Sequence, residues 1–94
     1  MPNKSYQKGY RFQQRVKKIL ETKGMFVMLS PKSSFPDGIA TDGNTTFFLE
    51  CKMNKYLSKE EEEKGRELMK KYNTAFMVFW SDNKIIKFYA LPKK

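Results

Sequence analysis

The chain contains no histidine and a single cysteine, Cys51. Without histidine there is no Ser-His-Asp triad and no zinc centre built on imidazoles. One cysteine forms neither an intramolecular disulfide nor a thiolate-rich zinc site, and it favours a reducing compartment. No run of about 18 apolar residues occurs, so no membrane-spanning helix is expected. The opening MPNKSYQKGYRF lacks the apolar core of a secretory signal. A cytoplasmic, intracellular location is the expectation, and a viral or phage source is compatible with it.

What the sequence does have is positive charge and aromatic bulk. Its 94 residues carry 19 Lys and Arg against 10 Asp and Glu, a formal net charge of +9. Such an excess favours a polyanionic partner, most often nucleic acid. Small basic proteins that bind membranes or ribosomes share it, so charge alone does not choose. A hydrophobic content of 39% with 8 Phe marks a folding chain rather than a disordered one. This length buries one modest core, so a single domain over residues 1–94 is expected, with loose ends at 1–7 and 92–94.

Residues 10–23 read as a helix. Phe12, Val16, Ile19 and Leu20 recur on one face, and Gly24 suits the C-terminal cap. Arg11, Arg15, Lys17 and Lys18 lie on or beside the outer face, whereas Gln13 borders the apolar stripe. Residues 25–29 form a short apolar strand, followed by the breaker-rich loop SPKSSFPDG. Residues 38–41 are a second short strand. Asp42-Gly43-Asn44 is a hairpin turn, and residues 45–53 are the central strand, whose Phe47, Phe48 and Leu49 imply burial on both faces. Ser58 and Glu61 form a capping box for a helix reaching about Tyr72, with acids early and bases late, as the helix dipole favours. Gly65, Leu68, Met69 and Tyr72 make its inward stripe, which Glu61 borders. Residues 74–80 are a strongly apolar strand, 81–84 turn, and 85–90 return as a strand. The predicted order is αβββαββ, an α/β sandwich.

Within FFLECKMNK, Glu50 and Lys52 share one face of the central strand. A salt-bridged strand end is the plain reading. Pro36-Asp37, however, opens the preceding strand, and the intervening hairpin can bring Asp37 beside Glu50. Adjacent carboxylates repel unless a cation lies between them, and hard oxygen ligands suit Mg²⁺ or Mn²⁺. A metal polarising a phosphate, with Lys52 orienting water or stabilising developing charge, is the arrangement phosphodiester hydrolysis needs. Cys51 lies between the two motif residues, so its thiol is expected to face away into the core, with its backbone carbonyl left as a candidate ligand. Ser33 and Ser34 are candidate phosphate contacts, and loop chemistry accounts for them equally well. Asp37 also reads as a turn cap, Gln13 as a solvated helix residue, and Glu61 chiefly as a capping-box glutamate.

Pro36-Asp37, a hairpin, then Glu50-Cys51-Lys52 resembles the PD-(D/E)XK nuclease motif, and the order of elements is similar to that superfamily's core. Within it, KGYRFQQRVKKILETKGMFVMLSPKSSFPDGIA resembles archaeal-type Holliday junction resolvases. These have a Lys-Gly start, a basic first helix, a short strand, a serine-bearing loop and then PD. The likeness runs over roughly residues 8–80. The resemblance implies a restriction-endonuclease-like core, a central mixed β-sheet flanked by helices. It also implies a Mg²⁺-dependent endonuclease, commonly a homodimer, acting on branched DNA. Asp37, Glu50 and Lys52 would be catalytic with Gln13 and Ser34 beside them, and Asp37, Glu50 and the Cys51 carbonyl would hold the metal. Lys8, Arg11, Arg15, Lys18, Lys32 and Lys55 are candidate DNA contacts.

One departure stands out. The family usually places a glutamate where Gln13 falls, and often a glutamine where Glu61 falls. The two helices are therefore candidates for an exchange of polar roles, with Glu61 as an accessory residue. The segment YLSKEEEE also resembles, loosely, the small phage-like VRR-NUC nucleases, which implies cutting of flaps or other branched structures. A DNA-binding relative that has lost catalysis is the third reading. Gln13 supports it, and the intact Asp37, Glu50 and Lys52 oppose it.

Overall fold

A computed structural model describes residues 4–30 and 35–93, with side chains described from residue 9 onward. Phe12, Val16 and Leu20 recur every fourth position and are buried, which docks helix α1 (Lys4–Thr22) on one face of a sheet. Strands β1 (Phe26–Leu29), β2 (Gly38–Thr41) and β3 (Thr46–Lys52) form an antiparallel meander. Helix α2 (Lys59–Tyr72) then crosses over, so that β4 (Ala75–Asp82) pairs parallel to β3. Strand β5 (Ile85–Ala90) returns antiparallel to β4, giving the sheet order β1-β2-β3-β4-β5. The mixed sheet and the order αβββαββ are those expected.

Each face of the sheet carries its own core. Phe12, Val16 and Leu20 of α1 pack with Val27, Ala40, Phe47, Leu49 and Phe79. On the other face Met69 of α2 packs with Leu57, Phe76, Val78 and Leu91, and Phe48 joins them. Phe47 and Leu49 thus point one way and Phe48 the other, which makes β3 the strand buried on both sides. Gly38 fixes the approach of β1 to β2: a Cβ there would lie 2.4 Å from the Met28 carbonyl oxygen. Any side chain at Gly38 would displace the strand that presents Asp37.

Several boundaries and faces differ from the sequence reading. Helix α1 starts at Lys4, so residues 4–7, expected to be loose, are helical. Ile19, assigned to the buried stripe, is 41% exposed, because the row Phe12–Val16–Leu20 fills the contact and Ile19 flanks it. Tyr72 is likewise largely exposed, meeting Phe48 only with a ring edge. Strand β4 continues to Asp82, leaving a tighter turn at Asn83-Lys84. Both turn residues take positive φ, 53° and 69°, the mirror-image turn that matches the twist of paired strands.

Candidate active site

The hairpin register sets Gly38 opposite Leu49, which leaves Asp37 facing Glu50 just beyond the pairing. Two hydrogen bonds lock them. The Asp37 backbone N–H donates to Glu50 Oε1 at 3.0 Å, and the Cys51 N–H donates to Asp37 Oδ2 at 2.8 Å. Each carboxylate is therefore held by the backbone of the other's strand, with one oxygen committed and one left over. They are the buried acids of the core, 7% and 6% exposed.

Burial sets their electrostatics. Desolvation raises the Asp37 carboxyl above its ordinary value, against the Cys51 N–H, the Lys52 charge and the Gln13 side-chain amide, which all act to lower it. Desolvation, reinforced by the charge of Asp37, pushes Glu50 up to about 8, although Lys52 opposes the shift. Two carboxylates held this way hold excess negative potential that a cation would relieve.

Lys52 approaches from the same face of β3. Its ammonium lies 3.8 Å from Glu50 Oε2 and 2.5 Å from Glu61 Oε2. Glu61 has two tasks. Its Oε1 accepts from the Ser58 N–H at 2.9 Å while its own N–H donates to Ser58 Oγ at 3.1 Å, completing the capping box of α2. Its other oxygen holds Lys52. Burial works to raise the Glu61 carboxyl, but the hydrogen bonds from Lys52 and Ser58 outweigh it and lower the group. Glu61 is thus the capping-box residue that the sequence spacing indicated, and it contacts Lys52 as well.

Gln13, Asp37, Glu50, Lys52 and Glu61 are brought together. Gln13 reaches in from α1, half-buried, and its side-chain amide acts to lower the Asp37 carboxyl. Cys51 packs against the α1-side core, as its place between Glu50 and Lys52 requires, and burial pushes its thiol well up. Arg11 and Lys18 stand exposed on α1. Arg15 is exposed too, but its guanidinium donates to the Lys84 carbonyl at 3.0 Å, tying α1 to the β4–β5 turn. The Lys55 ammonium sits 5.6 Å from the Tyr56 ring and 5.7 Å from the Trp80 ring. The Lys8 side chain, Lys32, Ser33 and Ser34 lie outside the described residues.

The sequence reading passed over Trp80. It is the parallel partner of Lys52 on the same face, a neighbour that only the β3–β4 register supplies. Among the described residues no group of three or more His, Cys, Asp and Glu side chains is arranged to hold a metal. The Asp37–Glu50 pair nevertheless suits Mg²⁺, which keeps several waters and is bound through one or two carboxylates together with substrate phosphate. Among the described residues no helix is long and apolar enough to cross a membrane.

No protein-family model and no curated protein sequence matches the chain. Among solved structures it is similar to Hjc, a Holliday junction resolvase from the archaeal hyperthermophile Archaeoglobus fulgidus. The TM-score is 0.77 at 24% identity, over 89% of this chain and 73% of that one. The likeness shows the fold: an α/β, restriction-endonuclease-like mixed sheet with helices on both faces.

Proposed function

We propose that this chain is a divalent-metal-dependent endonuclease of the Holliday junction resolvase type, hydrolysing phosphodiester bonds in branched DNA. The observation that carries the reading is the Asp37–Glu50 pair. Both carboxylates are buried, each is fixed by the other's strand, and the Lys52 ammonium stands 3.8 Å from Glu50. A pair built only for stability would not set two carboxyls side by side where burial raises both and the charge of Asp37 raises Glu50 further.

Asp37 and Glu50 are the residues to hold Mg²⁺ or Mn²⁺, with the Cys51 carbonyl as a further oxygen. When bound, that ion supplies Lewis-acid polarisation of the phosphate and a water of lowered pKa. Lys52 meets the charge that develops on the phosphate oxygens and orients the attacking water. Glu61 holds the Lys52 ammonium beside the carboxylates, and Gln13 orients Asp37 without adding charge. Lys8, Arg11, Arg15 and Lys18 of α1, with Lys32 and Ser34 of the loop before Asp37, are assigned to the phosphate backbone, where contacts position the duplex without reading its sequence. A homodimer would set two such sites on one junction.

The test is incubation with labelled four-way junction, flap and linear duplex, with and without Mg²⁺. Metal-dependent cutting of the branched substrates, absent in chelator, is the expected result. Binding to all three with no cutting in Mg²⁺ or Mn²⁺ would leave a DNA-binding relative without catalysis.

A further inference from the structure

Beyond Lys52 the same sheet face continues as a row of alternating cations and aromatic rings. Register places Trp80 of β4 beside Lys52 of β3, and Lys87 of β5 beside Trp80. Neighbouring strands lie about 5 Å apart, so Trp80 is one strand spacing from the candidate active site. The Lys87 ammonium lies 5.6 Å from the Trp80 ring, and Lys55 reaches the same ring from the loop after β3. Tyr56, 73% exposed, lies under Lys55 as well. The Tyr89 hydroxyl donates to the Lys55 carbonyl at 3.2 Å, which pins this loop over the sheet.

Core packing does not account for Trp80. Phe76 and Val78 precede it on the same face and belong to the α2-side core, whereas Trp80 lies past that core and remains half-buried. Acids meet the row at both ends: Asp82 pairs with Lys87 at 2.8 Å, and Glu61 and Glu50 flank Lys52. Lys55, between them, lies over both rings. A flat π surface bordered by ammonium groups suits an unpaired nucleotide, whose base stacks while its phosphates meet the cations. A duplex offers no such face, because its bases are already stacked on one another.

We propose that Trp80 and Tyr56 form a stacking platform for an unpaired base beside the scissile phosphate, with Lys55 and Lys87 holding the flanking phosphates. Placing that phosphate at Lys52 rests on the nuclease reading. The platform then deepens it: the preferred substrate is branched DNA carrying a single-stranded segment at the branch.

Trp80 is the only tryptophan, so intrinsic fluorescence reports on the platform directly. The full chain, in chelator so that nothing is cut, is titrated with a hairpin duplex bearing a single-stranded thymidine tail. A blunt hairpin with the same number of phosphates, at the same salt, is the reference. The tailed hairpin should quench Trp80 and bind about tenfold tighter or more. By anisotropy of a fluorescently labelled hairpin, which does not depend on the tryptophan, Trp80→Leu should bring its affinity down to that of the blunt hairpin, and Tyr56→Ala, a change at an exposed side chain, should lower it in the same direction. Equal quenching and equal affinity for the two hairpins would overturn the platform, as would a tail preference that survives both substitutions in folded protein. A chain that prefers tails yet cuts no DNA loses the nuclease reading alone. One that cuts branched DNA without preferring tails loses the platform alone.

Discussion

Lys52 is held by Glu61 more closely than by Glu50: its ammonium lies 2.5 Å from Glu61 Oε2 and 3.8 Å from Glu50 Oε2. The carboxylate that caps α2 therefore also places the lysine of the candidate active site, and the helix start and the strand end are joined through one side chain.

Glu61→Ala should remove both contacts at once. Loss of half the capping box should cost about 1 kcal/mol of stability, and the freed lysine should slow turnover. Glu61→Gln keeps one acceptor oxygen, enough for the Ser58 N–H but not for Lys52 as well, so it should recover most of the stability and little of the rate. Thermal melts alongside single-turnover cleavage separate the two roles. Wild-type turnover in a destabilised Glu61→Ala protein would reduce Glu61 to a helix cap.

Asp37→Asn and Glu50→Gln each keep an oxygen for the backbone bond that locks them but remove a metal-binding charge. Cleavage should fall by more than the ~10–100-fold lost when an outer-shell partner is removed. DNA binding should persist, because basic residues elsewhere supply the affinity. Gel-shift titration beside cleavage rates reads both, and a variant that cuts at the wild-type rate in Mg²⁺ would show the site to be misplaced.

Stability of the metal-free chain should fall as pH rises. Glu50 is pushed from its ordinary 4.5 up to about 8, first by burial and then by the charge of Asp37, and burial raises Asp37 as well. Between those limits the folded chain holds protons that the unfolded chain has released, so stability is fully present below the ordinary value and is lost toward about 8. Asp42 and Glu61 are lowered and act in the opposite sense, below the ordinary carboxylate range. Melting temperatures in chelator across this interval should decline for wild type and flatten for Glu50→Gln. An equal decline in both would assign the effect to other groups.

Gln13→Glu brings a third carboxylate to Asp37. Calorimetric titration should show tighter Mg²⁺ binding, since another hard ligand is supplied. The same change should destabilise the metal-free chain at neutral pH through repulsion between like charges. A variant unchanged in both would leave Gln13 as a helix residue that does not report on the site.

The sequence by itself determined the parts that depend on near neighbours along the chain. The fourth-residue row Phe12–Val16–Leu20 specified the docked face of α1, and the spacing of Ser58 and Glu61 specified the start of α2. Alternation along β3 put Glu50 and Lys52 on one face and Cys51 on the other. The short hairpin made the meeting of Asp37 and Glu50 readable as well, because few residues separate its arms. Tertiary structure decided the rest. Whether Ile19 and Tyr72 were covered depended on how wide a strip of each helix the sheet could meet. Lys52 met Glu61, and Trp80 came to lie between Lys52 and Lys87, only once the α2 crossover had set the parallel register of β3 on β4. A slip of one residue in that register would send every side chain of β4 to the opposite face. The register is fixed by burying Phe76 and Val78 against α2, a long-range packing choice that no local pattern encodes.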